Sequence, residues 1–116
     1  MEPEGRLRAL YAAFNARDME TALAGTAEDV DWPNGWEGGR ERGRDAVRAY
    51  WSRQWGEIDP HVQPLSITTR SDGRVAVEVH QVVRDLRGDA LSDGRVIHVY
   101  RLRDGLVTRM DIEDPG

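Results

Sequence analysis

Leu7, Leu10, Tyr11 and Phe14 recur at i, i+3, i+4 and i+7, an apolar stripe that predicts a helix over roughly 4–16. Asp18 supplies a side-chain cap for a second, short helix in which Met19, Ala22, Leu23 and Thr26 keep the same spacing. A segment rich in Pro, Asn and Gly follows, "DVDWPNGWEGG" over 29–39, which reads as a loop carrying two tryptophans. Val47, Trp51 and Trp55 then return at i, i+4 and i+8, with Ala46, Tyr50 and Gln54 widening the face of a third helix.

From Val62 the period changes to two. The segments 62–69, 74–86, 95–103 and 105–113, separated by "SDGR", "RGD" and "RDG" turns, predict four strands in an antiparallel meander. Three helices followed by such a sheet form an α+β order, and a sheet of this kind buries one face under the helices. With no linker, repeat or low-complexity tract, residues 1–116 read as one domain.

Alternation assigns the faces. Val96, His98, Tyr100 and Leu102 point inward on one strand, with Arg95, Arg101 and Arg103 on its other side. On the preceding strand the more apolar set, Val75, Val77, Val79, Gln81 and Val83, belongs inside, leaving Glu78 and His80 outside. A three-residue turn at "RGD" would exchange that assignment by slipping the register one residue. On the last strand Thr108, Met110 and Ile112 face inward, Asp111 and Glu113 outward.

Composition removes several function classes. The chain has no cysteine and no lysine, so thiol nucleophiles, thiolate metal sites and Schiff-base cofactors are excluded. A net charge of −5, with arginines interspersed among acids, opposes binding to a phosphate backbone. No apolar run is long enough for a membrane span and the N-terminus lacks a secretory pattern, so a soluble, cytoplasmic protein is expected. Histidines 61, 80 and 98 show no metal-ligand spacing, and no metal or other cofactor is called for.

The stretches "LYAAFNARDMETALAG", "EDVDWPNG", "GRDAVRAYW" and "HVYRLRDGLVTRMDIE" together resemble the nuclear transport factor 2-like superfamily, which includes ketosteroid isomerases and SnoaL-type polyketide cyclases. The resemblance spans nearly the whole chain and implies a cone-shaped fold, a pocket between the helices and the concave sheet face, and a homodimer. It specifies no reaction, since the fold hosts many chemistries and pure binding. Set against the isomerases of this superfamily, Tyr11 takes the position of a tyrosine, and His98 that of a protonated acid, that donate to a developing enolate. Trp32 stands where a proton-shuttling carboxylate would be, with Asp31 one residue away. Ile112 stands where the epoxide hydrolases of the superfamily carry a carboxylate.

The candidate catalytic residues are therefore His98, Tyr11 and Asp31. The candidate binding residues are Phe14, Trp32, Trp36, Trp51, Trp55, Gln81, Tyr100 and Met110, with the four tryptophans read as an aromatic lid across the pocket mouth. Two functions stay open: an isomerase or cyclase moving a proton on a small apolar carbonyl compound, and a non-catalytic ligand-binding or dimerisation module. The absent loop carboxylate favours the second, the inward His98 the first.

Overall fold

The computed structural model describes residues 3–115. The chain order is α1 (Pro3–Asn15), α2 (Met19–Ala24), β1 (Thr26–Pro33), β2 (Arg40–Arg42), α3 (Arg44–Glu57), β3 (Ile58–Thr69), β4 (Val75–Asp85), β5 (Ala90–Arg103) and β6 (Leu106–Glu113). The strands form one curved, open sheet in the order β2-β1-β6-β5-β4-β3, with the helices packed on one face. The four expected strands are there, and two more join them. Residues 26–33, expected as the end of a helix and a loop, form β1, which runs parallel to β6, while β2 closes the edge in an antiparallel pairing. Thr26, expected on the second helix, instead opens β1, and its buried hydroxyl donates to the carbonyl of Leu23.

Side chains explain where each element starts and docks. The Asp18 carboxylate accepts from the Thr21 amide and caps α2. At the end of α1, the Asn15 amide brackets Val62 of β3, donating to its carbonyl at 2.7 Å and accepting from its N–H at 3.0 Å. Each such bond contributes about 1 kcal/mol and fixes the helix against the sheet. Leu7, Leu10, Tyr11 and Phe14 of α1 then meet Val47, Tyr50 and Trp51 of α3 over Val77, Val79, Tyr100 and Val107 of the sheet.

The register question at "RGD" is resolved by a compensation. The turn does hold three residues, 86–88, with the Asp85 amide bonded to Asp89. A shift between Val83 and Arg84 absorbs the extra residue, so Val83 faces Ser92 while Arg84 faces Ala90. Val75, Val77 and Val79 consequently stay inside, and Val77 pairs with His98. Between β5 and β6, Asp104 and Gly105 both take positive φ, 54° and 78°, the conformation a two-residue hairpin turn requires. A second bulge follows, where Arg101 faces Arg109 but Leu102 faces Val107. Thr108 is the extra residue; its hydroxyl bonds back to the Arg101 carbonyl, and it does not reach the inner chamber as its alternation had implied.

Candidate functional site

Between α1, α3 and the concave face of the sheet lies a chamber of about 580 Å³. Cavities of roughly 300–1,000 Å³ take small organic molecules. Among the described residues, none that lines it is Asp, Glu, Arg or Lys.

The polar end is built from two elements. Strand alternation on β5 turns His98 and Tyr100 inward, and α1 lays Tyr11 across them. The Tyr11 hydroxyl lies 2.7 Å from that of Tyr100 and 2.8 Å from Nδ1 of His98, and the Tyr11 and His98 rings are stacked at 5.8 Å. Burial alone brings the His98 imidazole down from its ordinary 6.5 to about 4, because the charged form loses its hydration. Burial likewise raises both phenols well above 10, the neighbouring hydroxyl adding to the rise at Tyr11. At neutral pH the cluster carries no charge.

A second polar point lies on α3. Gln54 donates to the Tyr50 hydroxyl at 3.3 Å, both side chains are buried, and both line the chamber. Burial, reinforced by the Glu37 carboxylate, pushes the Tyr50 phenol up to about 12. Beside it the buried Asn34 organises the loop: its side-chain oxygen accepts from the amides of Trp36 and Glu37, and its nitrogen donates to Glu37 and Glu41. Tyr50 and Gln54 stand out in sequence only as members of an amphipathic face, and the "NG" pair at Asn34 only as a turn.

Of the residues singled out from sequence, Tyr11, Phe14, Trp32, Trp36, Trp51, Gln81, His98, Tyr100 and Met110 are brought together around this chamber. Two are not. Trp55 lies behind the wall, stacked on Trp51, edge-on to Phe14 and covered by the Arg17 guanidinium at 5.2 Å. The reason is helical phase: on α3 the wall is made by Tyr50, Trp51 and Gln54.

Asp31 is the other. Trp32 faces in, so its neighbour on β1 faces out, where Asp31 meets Arg40 at 2.5 Å, Arg109 at 3.0 Å and Arg42 at 3.7 Å. A carboxylate committed to three guanidiniums on the far side of the sheet has no route to a ligand in the chamber.

The lid also takes a different form. Trp32 is a wall, packed edge-on against Trp51 at 5.4 Å and tilted on Tyr100. The half-buried Trp36 and Ile112 lie at the opening, Ile112 44% exposed and close against Gly35.

The sequence profile of the SnoaL-like domain matches residues 7–110 of this chain. The chain belongs to the SnoaL-like domain family. This places it in the nuclear transport factor 2-like superfamily, as its residues had implied. TerC, in a crystal structure obtained with polyporic acid, is 28% identical, with coverage of 95% of this chain and 88% of TerC and a TM-score of 0.82. A candidate polyketide cyclase from Xanthomonas campestris pv. campestris is 29% identical over 97% of this chain and 89% of its own, with a TM-score of 0.79. A Mycobacterium tuberculosis protein in complex with estradiol-17β-hemisuccinate shares the fold at 22% identity, TM-score 0.80, covering 95% of this chain and 92% of that one. No curated protein matches the sequence.

Among the described residues of this SnoaL-like chain, no helix is long and apolar enough to cross a membrane. Among those residues, too, no group of three or more His, Asp or Glu is placed to hold a metal ion.

Proposed function

We propose that this SnoaL-like domain binds a flat, largely apolar carbonyl compound in the chamber, with the carbonyl oxygen at the Tyr11–His98 end. The observation that carries the reading is the pairing of an uncharged, aromatic-walled cavity with the buried hydrogen-bonding cluster of Tyr11, His98 and Tyr100. Such a site gains most of its affinity from apolar burial and its orientation from a few polar atoms. The crystal structure of TerC with polyporic acid supports a small organic ligand for a chain of the same fold. An intracellular site of action belongs to the same reading, resting on a sequence without cysteine.

Isothermal titration with 2-hydroxy-1,4-naphthoquinone as the probe tests it. Saturable binding that is weakened at least tenfold by His98→Ala is expected, and equal weakening by His61→Ala, on the exposed face of β3, would defeat it.

A second reading, an isomerase or aldol-type cyclase, is favoured by the placement of Tyr11 and His98 against the same chamber. Hydrogen bonds from a preorganised, dry site to a carbonyl oxygen stabilise the enolate that either reaction passes through. Deuterium exchange at the α-carbon of bound 2-tetralone, faster than in buffer, distinguishes it from binding alone.

The domain is also expected to form a homodimer through the outer face of the sheet, where Ala76, His80 and Val82 of β4 are half-buried.

A further inference from the structure

The Tyr11 hydroxyl has a single proton and two neighbours, Tyr100 at 2.7 Å and His98 Nδ1 at 2.8 Å. Its oxygen can also accept twice, but with both neighbours donating to it the Tyr11 proton would have no acceptor among the described residues, at a side chain only 2% exposed. Tyr11 therefore donates to one neighbour and accepts from the other, which leaves two directions for the whole chain. In one, His98 Nδ1–H donates to Tyr11, Tyr11 donates to Tyr100, and the Tyr100 proton is left over. Tyr100 is 0% exposed and has no other hydrogen-bond partner among the described residues, so that proton would be stranded. Stranding a buried hydroxyl proton disfavours an arrangement by about tenfold to a hundredfold in population. In the other direction, Tyr100 donates to Tyr11 and Tyr11 donates to Nδ1. Only a lone pair of Tyr100 then goes unused, and an unfilled acceptor is the lesser cost.

We infer that Tyr11 is a positioning residue whose one proton is spent on His98, which is thereby fixed as the Nε2–H tautomer and is the only member of the cluster that donates to the ligand oxygen. This departs from what the superfamily resemblance implies, a tyrosine that itself donates to the oxyanion. It rests on the reading of the chamber as a site for a carbonyl compound.

Two further observations agree. His98 Nε2 has no protein partner among the described residues, and it is not among the buried polar atoms that lack one, a condition met there only by Trp55 Nε1. It therefore retains access to the chamber. Among the described residues the wall also holds no carboxylate to remove a proton. A cluster that offers one neutral donor, with no ionised base in the wall among the described residues, fits ligands whose oxygen is already a strong acceptor, such as hydroxyquinones and enolised 1,3-dicarbonyls, over simple ketones that must first be deprotonated.

The first test needs no ligand. In a long-range ¹H–¹⁵N spectrum of the labelled protein at pH 7, His98 should show a protonated Nε2 and a bare Nδ1, and Tyr11→Phe should bring in the Nδ1–H form. A protonated Nδ1 in the parent overturns the inference.

The second test is a double-mutant cycle read by the affinity of 2-hydroxy-1,4-naphthoquinone. His98→Phe should weaken binding at least tenfold, Tyr11→Phe about threefold or less, and Tyr11→Phe added to His98→Phe less than twofold. A further tenfold loss on that last step would show Tyr11 donating on its own account and would also overturn it. A probe that binds no form defeats the proposed function, while the tautomer spectrum still decides the inference.

Discussion

The indoles of Trp51 and Trp55 stack with centroids 5.8 Å apart and planes 14° from parallel, yet only Trp51 lines the chamber. Trp55 holds Trp51 in place from behind, and its own Nε1 is buried without an acceptor. Trp55→Phe keeps an aromatic face against Phe14 and Arg17 and removes the unpaired donor, so the lost area and the relieved N–H offset each other. Its stability should fall within about 1 kcal/mol of the parent. Trp51→Phe opens space in the wall and should cost about 1–3 kcal/mol. Urea unfolding of the two variants checks the order, and a larger loss for Trp55→Phe would contradict it.

Trp32 and Trp36 divide the work assigned from sequence to a single lid. Trp32 is 6% exposed, so Trp32→Ala should lower stability by about 3–5 kcal/mol, a large part of what holds a domain folded. Trp36 is only half-buried, on the loop at the opening, and Trp36→Ala should cost about 1 kcal/mol while weakening the naphthoquinone probe severalfold. Thermal melting with and without probe separates the two effects. The division fails if Trp36→Ala melts as early as Trp32→Ala.

Helix stripes and strand alternation were enough to bring Tyr11, His98, Gln81 and Met110 to one cavity, because a period of 3.6 or 2 fixes which side chains share a face. β1 was not legible. "TAEDVDWP" alternates poorly, contains three acids and ends in Pro, all weak strand signals, and it becomes a strand because β6 and β2 pair with it on either side. Asp31 is tolerated because Arg40, Arg42 and Arg109 meet it on the outer face, while Glu28 and Asp29 are exposed and Asp29 pairs with Arg103. That long-range pairing is also what turned Asp31 from a candidate base into a structural residue. The bulges that preserve the β4 face and expel Thr108 depend on turn geometry that residue identity leaves open.

Asp31→Asn should therefore leave probe affinity within about twofold of the parent while lowering stability by about 1 kcal/mol, the range for a partly exposed ion-pair network. The stability difference should shrink in 1 M salt, where screening weakens the pairs in the parent. Loss of binding without loss of stability would return Asp31 to the ligand site.

Dimerisation through the outer face predicts that sedimentation at micromolar concentration gives twice the monomer mass and that Val82→Arg, placing a charge in the middle of β4, returns the protein to monomer. A parent that sediments as a monomer would remove that interface.

The depressed pKa of His98 makes folding sensitive to mild acid. Unfolded, the imidazole takes up its proton near 6.5; folded, burial holds that uptake down to about 4. Between those values the unfolded chain binds more protons than the folded one, so stability is complete above about pH 6.5 and declines as pH falls toward 4, below which this contribution levels off. The full difference is roughly 3 kcal/mol. The carboxylates paired with arginine, Glu37, Asp111 and Glu113 among them, are held below their usual range, so their contributions are lost at lower pH than most of the histidine window. Unfolding free energies of the parent and of His98→Phe, measured in urea from pH 7.5 to 4.5, should diverge by most of that amount, with the parent losing stability and the variant comparatively flat. Parallel curves would mean that His98 is protonated in the folded state, and the uncharged polar end of the chamber would go with it.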